Sequence, residues 1–195
     1  YMQAVRALNP DGRLAFYPGS AWLAHHVMPK QSRLKLFELH PTDYAALSDC
    51  FVQLKSRAQV FACDGFLGLK TMLPPPPRRA FVLIDPPYED KEDYMKVPSV
   101  AQQALKRFAT GVYAVWYPKL SREVTRQLPA ILKQLPVKQW LHATLSVKAP
   151  APNGYGMHGS GMFVLNPPWI LRRLLEDVLP FLTNKLAQDN EAHFT

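Results

Sequence analysis

The run Phe81-Val82-Leu83-Ile84-Asp85-Pro86-Pro87-Tyr88 limits what this chain can fold into more than any other stretch. Its first four residues are apolar and partly β-branched, the composition of a strand buried on both faces in a parallel sheet. Pro86 has no amide hydrogen for a ladder, so the strand must stop and Asp85 is left at its carboxyl end. In open α/β sheets that end is where ligands bind. A carboxylate, a proline-stiffened turn and an aromatic ring gathered there suit the handling of a flat ring that bears an amino group. The plainer reading is a strand end closed by an Asx-type turn, since Asp-Pro turns are common.

Strands and helices alternate around this run, which argues for βαβ units and a parallel sheet. Strands are expected at residues 34–39, ending near Glu38, and at 58–63, ending in Asp64-Gly65. Others are expected at 80–84, at 112–117 with Pro118 as the stop, at 140–147 and at 161–165. Val97, Val100, Ala101, Ala104, Leu105 and Phe108 repeat at helical spacing. Val124, Leu128, Ile131, Leu132 and Leu135 do the same after Ser121, a candidate cap. A third helix spans residues 171–186, with Leu174, Leu175, Val178, Leu179 and Leu182 on one side. Pro129 and Pro180 should kink or divide the helices that contain them. Residues 153–161, with four glycines, read as a mobile loop near the substrate rim. No repeat and no second-domain boundary is evident, so residues 1–195 read as one domain.

The chain carries a net charge of +8, from 23 Lys and Arg against 15 Asp and Glu. This favours a polyanionic partner, because each neutralised phosphate releases counterions, although a merely basic globular protein would look the same. Cys50 and Cys63 form neither a disulfide framework nor a CxxC pair, which points to a reducing cytoplasm. No apolar run approaches the roughly 18 to 20 residues that span a bilayer, and no secretory leader is visible. His142, His158 and His193 have no spacing that suggests a metal, and no HExxH or paired CxxC occurs.

Glu38, Asp64 and Asp85 each fall at the carboxyl end of an expected strand. In a doubly wound sheet such ends share one rim, so the three acids are expected to line a single crevice. An acid placed like Glu38 can grip ribose hydroxyls. Asp64 can accept from an adenine amino group while Gly65 lets backbone approach the ring, and Asp85 is left for a target base. Glu38 and Asp64 as helix caps or solvated loop acids remain the alternative. Trp116 and Tyr117 could wall a base pocket or serve the core.

Asp85-Pro86-Pro87-Tyr88 resembles the D-P-P-Y motif of amino-group methyltransferases that use S-adenosylmethionine. The amino nitrogen of adenine shares its lone pair with the ring and is a poor nucleophile. The Asp85 carboxylate and the Pro86 carbonyl, both accepting from that amine, would pull it toward a tetrahedral shape and free the lone pair. Tyr88 could stack on a base taken out of its helix.

Beyond this motif the chain resembles the RlmJ family of 23S ribosomal RNA methyltransferases, which methylate adenine N6. The resemblance runs through Tyr17-Pro18-Gly19-Ser20, Glu38 to Tyr44, Asp64-Gly65-Phe66 and Leu83 to Glu89. It continues in Arg107 to Gly111, Trp116-Tyr117-Pro118, Gly159 to Met162, and Asn166-Pro167-Pro168-Trp169. The resemblance implies a Rossmann-like class I methyltransferase fold, α/β with a mostly parallel sheet and helices on both faces. It implies S-adenosylmethionine as cofactor, held by Ser20, Glu38, Asp64, Gly65 and Asp85, with Asp85 also the catalytic acceptor. The implied partner is ribosomal RNA. The family's first strand, the Gly-rich turn after it and a basic, histidine-bearing segment have no counterpart here. Since the chain opens Tyr1-Met2-Gln3, it reads as part of a longer protein. A DNA adenine methyltransferase and a noncatalytic nucleic-acid-binding protein of the same fold are the competing readings.

Overall fold

Parallel pairing occurs only where a helix separates two neighbouring strands. The computed structural model describes residues 1–54 and 57–195. The chain divides into two units, Tyr1–Thr71 and Met72–Thr195. The first unit opens with α1 (Met2–Leu8) and α2 (Ser20–Val27). There β1 (Leu34–Phe37) and β2 (Ala58–Phe61) form a parallel pair with Phe37 opposite Phe61, joined through α3 (Pro41–Phe51). The helix α4 (Gly65–Met72) follows β2. Phe37 and Phe61 stack with ring centroids 5.1 Å apart. A Cβ on Gly68 would strike the Phe37 ring, so the missing side chain is what lets α4 close onto the strand pair.

The second unit holds a five-stranded sheet in the order β3-β4-β6-β5-β7. Its elements are β3 (Phe81–Ile84), α5 (Asp93–Arg107), β4 (Val112–Lys119), α6 (Glu123–Lys133), β5 (Trp140–Ser146), β6 (Gly159–Leu165), α7 (Leu171–Leu186) and β7 (His193–Phe194). β3 and β4 are parallel, connected by α5, whereas β6 lies antiparallel between β4 and β5. The mixed order has a simple cause. β5 and β6 are joined by a loop without a helix, and only a helix-length crossover returns a chain in the parallel sense. Between this sheet and its helices Val97, Ala101, Ala104, Phe108, Tyr113, Val115, Leu128, Leu132, Phe163 and Leu165 are buried.

Several sequence expectations need correction. Among the described residues β3 pairs with β4 alone, with Phe81 67% and Leu83 42% exposed while Ile84 is buried. Pro118 does not stop β4, which runs on to Lys119. Pairing with β3 ends at Val115, so β4 is an edge on that side when it reaches Pro118, and an edge tolerates proline. Ser121 is not the cap of α6; Arg122 holds that position, without a side-chain bond. Pro129 and Pro180 lie within single helices. In α6 the fully buried Leu128 and Leu132 offset the ~3 kcal/mol cost of an interior proline. The buried stripe of α7 is Leu171, Leu175 and Leu179, packed on Leu141 and Ala143, whereas Leu174 and Val178 are exposed. Gly159 and Gly161 belong to β6, and only Gly154 and Gly156 of the expected glycine loop take left-handed backbone.

Candidate active site

Glu38 and Asp64 stand just past the ends of β1 and β2, on neighbouring strands of the first unit. The Glu38 amide donates to Phe61 O at 3.1 Å, which locks the two strand ends together. Each acid spends one oxygen on the turn that follows it. Glu38 Oε1 accepts from the His40 amide at 2.8 Å, and Asp64 Oδ1 accepts from the Phe66 amide at 2.8 Å. Among the described residues the second oxygen of each carboxylate accepts nothing. Two spare carboxylate oxygens on adjacent strand ends fit a nucleoside, which offers ribose hydroxyls and an amino group as donors. His40 acts on Glu38 through its backbone, while its ring lies 3.6 Å from Asp43. Gly65 begins α4, and an added Cβ would meet only Phe37 Cβ at 3.5 Å, an ordinary contact. Ser20 begins α2 after Gly19 and is exposed.

In the second unit Asp85 follows Ile84, the last residue of β3, whose partner on β4 is Val115. Among the described residues its carboxylate has neither a hydrogen bond nor an ion pair. It keeps an exposed surface, yet the protein behind it withdraws enough solvent to push its pKa above the ordinary carboxylate value. An acceptor in that state gains from any donor that reaches it.

The turn beyond Asp85 is clamped. Tyr88 has a φ of 55°, a left-handed conformation unusual for a bulky residue. It is 2% exposed, its hydroxyl donates to Trp116 O at 2.7 Å, and its ring lies 4.6 Å from that of Tyr94. Burial raises the Tyr88 phenol far above its ordinary pKa, with Asp85 adding in the same direction. The hydroxyl therefore stays protonated and remains a donor. Tyr88 thus ties the Asp-Pro-Pro turn down to β4.

Three further features were invisible to sequence reasoning. Asn166, at φ 53°, donates through Nδ2 to Ala109 O and Gly111 O, both at 2.8 Å. This joins two stretches that are far apart in the chain. Tyr117 Oη lies 2.7 Å from His142 Nε2. The Tyr117 ring occupies the space a Cβ on Gly161 would need. His158 and His193 approach one another beside Ser146, with His142 four residues away along β5, although no group of His, Cys, Asp and Glu among the described residues is arranged to hold a metal. Nor is any described helix long and apolar enough to cross a membrane.

The family model described as Ribosomal RNA large subunit methyltransferase D, RlmJ, matches residues 1–195. The chain is 43% identical over 195 residues to Ribosomal RNA large subunit methyltransferase J of Escherichia coli strain K12. It is 40% identical over 197 residues to the protein of that name from Haemophilus influenzae. Both matches cover 100% of this chain and 69% of the relative. A crystal structure of a Legionella pneumophila protein superposes with a TM-score of 0.89 at 32% identity, covering 100% of this chain and 71% of that one.

Proposed function

Because this chain belongs to the RlmJ family of ribosomal RNA large subunit methyltransferases, we propose that it transfers a methyl group from S-adenosylmethionine to the exocyclic N6 of an adenine in 23S ribosomal RNA. The observation that carries this reading is the Asp85 carboxylate, unpaired at a strand end and followed by a clamped Pro-Pro-Tyr turn. A charge held without partners is costly, and an amine developing positive charge is the donor that relieves the cost. The Pro86 carbonyl supplies the second acceptor, and proline at both following positions keeps the two aimed. Tyr88 holds this turn against β4; stacking on a flipped base would require its ring to leave Tyr94.

The cofactor supplies a methyl group already activated by its sulfonium charge, so the protein needs no covalent intermediate. Ser20, Glu38, Asp64, Gly65 and Asp85 are its proposed holders. Glu38→Ala and Asp64→Ala are each expected to weaken S-adenosylmethionine binding about tenfold, the loss of one charged hydrogen bond. Calorimetric titration of the full protein measures this, and unchanged affinity in both variants would remove the assignment.

The net charge of +8 suits an RNA partner, with the reducing cytoplasm as the setting. Methylation assays on naked 23S ribosomal RNA and on duplex DNA test the substrate directly. Product is expected on the RNA alone, with RNA affinity falling steeply between low and physiological salt. Methylation of duplex DNA instead, or a flat salt response, would sink the RNA assignment.

A further inference from the structure

A largely apolar concavity rimmed by basic side chains lies in the unit that carries Asp85. It is a cavity of about 260 Å³ framed by the end of β4, by α6, by β5 and by the loop leading into β6. Lys119, Arg126, His142 and His158 all line it, and no acidic side chain does. Among the described residues neither Lys119 nor Arg126 is in an ion pair. Lys119 donates to Ser146 Oγ at 2.7 Å, which fixes its ammonium at the wall. The remaining lining includes Thr125 and Thr144, hydroxyl donors on α6 and β5.

Two polar atoms in this wall have no partner. His158 is 9% exposed and its Nδ1 makes no hydrogen bond; Thr125 is 3% exposed and its Oγ1 makes none. Both atoms are buried beneath the cavity surface, so the charged lining, and not these atoms, decides what the cavity would receive. The surrounding charge says what kind of group. Burial, then Lys119, His193, Arg126 and Lys148, all press the His158 pKa down, and burial, Lys133 and Lys119 do the same to His142. The basic side chains here have no acidic side chain beside them in the lining, and an anion would offset their mutual repulsion.

We propose that this cavity is a phosphate subsite, holding a backbone phosphate of the RNA substrate near the nucleotide presented to Asp85. The assignment rests on the RNA substrate proposed above. The mix of a fixed ammonium, a guanidinium, imidazole and hydroxyls matches the several oxygens of a phosphodiester. Its place along the sheet also fits. The β3–β4 register ends at Ile84 opposite Val115; Asp85 is one residue past that pair in β3 and Lys119 four residues past it in β4, a difference of three residues along the sheet. At ~3.3 Å per residue that is about 10 Å, the scale of a nucleotide or two.

The test combines two measurements on the full protein. The first follows the His158 and His142 ring signals by NMR as inorganic phosphate is added, across a pH series. Phosphate is expected to raise both pKa values, and the response should vanish in Arg126→Gln. Arg126 is exposed on α6, so this variant should keep the fold, and Lys119→Met serves as a second probe. The second measures affinity for a 23S ribosomal RNA fragment against salt. Arg126→Gln should weaken binding roughly tenfold at low salt and reduce the log–log salt slope by about one. Absence of any phosphate response would overturn the subsite. A phosphate response with unchanged RNA affinity and slope would also overturn it, since the cavity would then take only a free anion. Failure of the methylation assay on RNA would remove the proposed function, whereas the ring titration reads the cavity independently of turnover.

Discussion

Asp85→Asn is expected to lower single-turnover methylation of a ribosomal RNA fragment by about 100- to 1000-fold, with RNA affinity nearly intact. The amide keeps one oxygen acceptor, adds two donors that face the incoming amine wrongly, and removes the negative charge that the developing cation needs. The pH dependence has a definite sign. Because partial burial raises the Asp85 pKa, the wild-type rate should fall with acid at a higher pH than an ordinary carboxylate would dictate. A raised folded-state pKa also means that the ionised group destabilises the fold, fully so above its folded pKa and not at all below the unfolded value. Asp85→Asn should therefore melt at a slightly higher temperature than wild type at neutral pH while losing activity. A near-normal single-turnover rate in this variant would sink the proposed mechanism.

Phe163→Ala is expected to have the largest effect on stability. Phe163 is fully buried in β6, which is paired on both sides, and its ring sits 5.5 Å from that of Trp140 and 5.4 Å from that of His142. Removing a buried phenyl ring from such a place costs about 3–5 kcal/mol, since the paired strands leave little room to collapse. For a chain of this size that corresponds to a drop of roughly 10 °C in Tm. Thermal melts followed by circular dichroism measure it. A shift of only a degree or two would show that the sheet relaxes around the cavity, contrary to the close packing described here.

The positions of most strands could be read from the sequence because local chemistry decides them. Apolar β-branched runs begin them, and Pro86 or Asn166-Pro167-Pro168 ends them. The place of Asp85 just past the end of β3 could be read for the same reason, since a proline cannot follow it in the ladder. What escaped was decided by distant residues. The exposure of Phe81 and Leu83 depends on which distant elements cover β3, and nothing within residues 81–84 records that. The clamp on Tyr88 requires the Trp116 carbonyl, which no pattern near residue 88 could announce. The approach of His158 to His193 arises only when Ser146 of β5 pairs with both β6 and β7, so their wide separation in sequence concealed it. Pro118 misled because the usual penalty for a strand proline vanishes once β3 has ended.

The insertion of β6 between β4 and β5 has a consequence for how the protein is made. β4 leaves the ribosome after β3, its parallel neighbour, but its other flank belongs to a strand that begins roughly forty residues downstream. At ~5–20 residues per second, that flank stays unpaired for several seconds of synthesis. During this interval Tyr113, Ala114 and Val115, fully or nearly fully buried in the finished sheet, sit on a strand with an open ladder. The completed sheet thus depends on the last third of the chain arriving before this apolar strand finds another partner. Chaperone dependence and yield in the cell should respond to changes in β6 more sharply than to changes at Asp85.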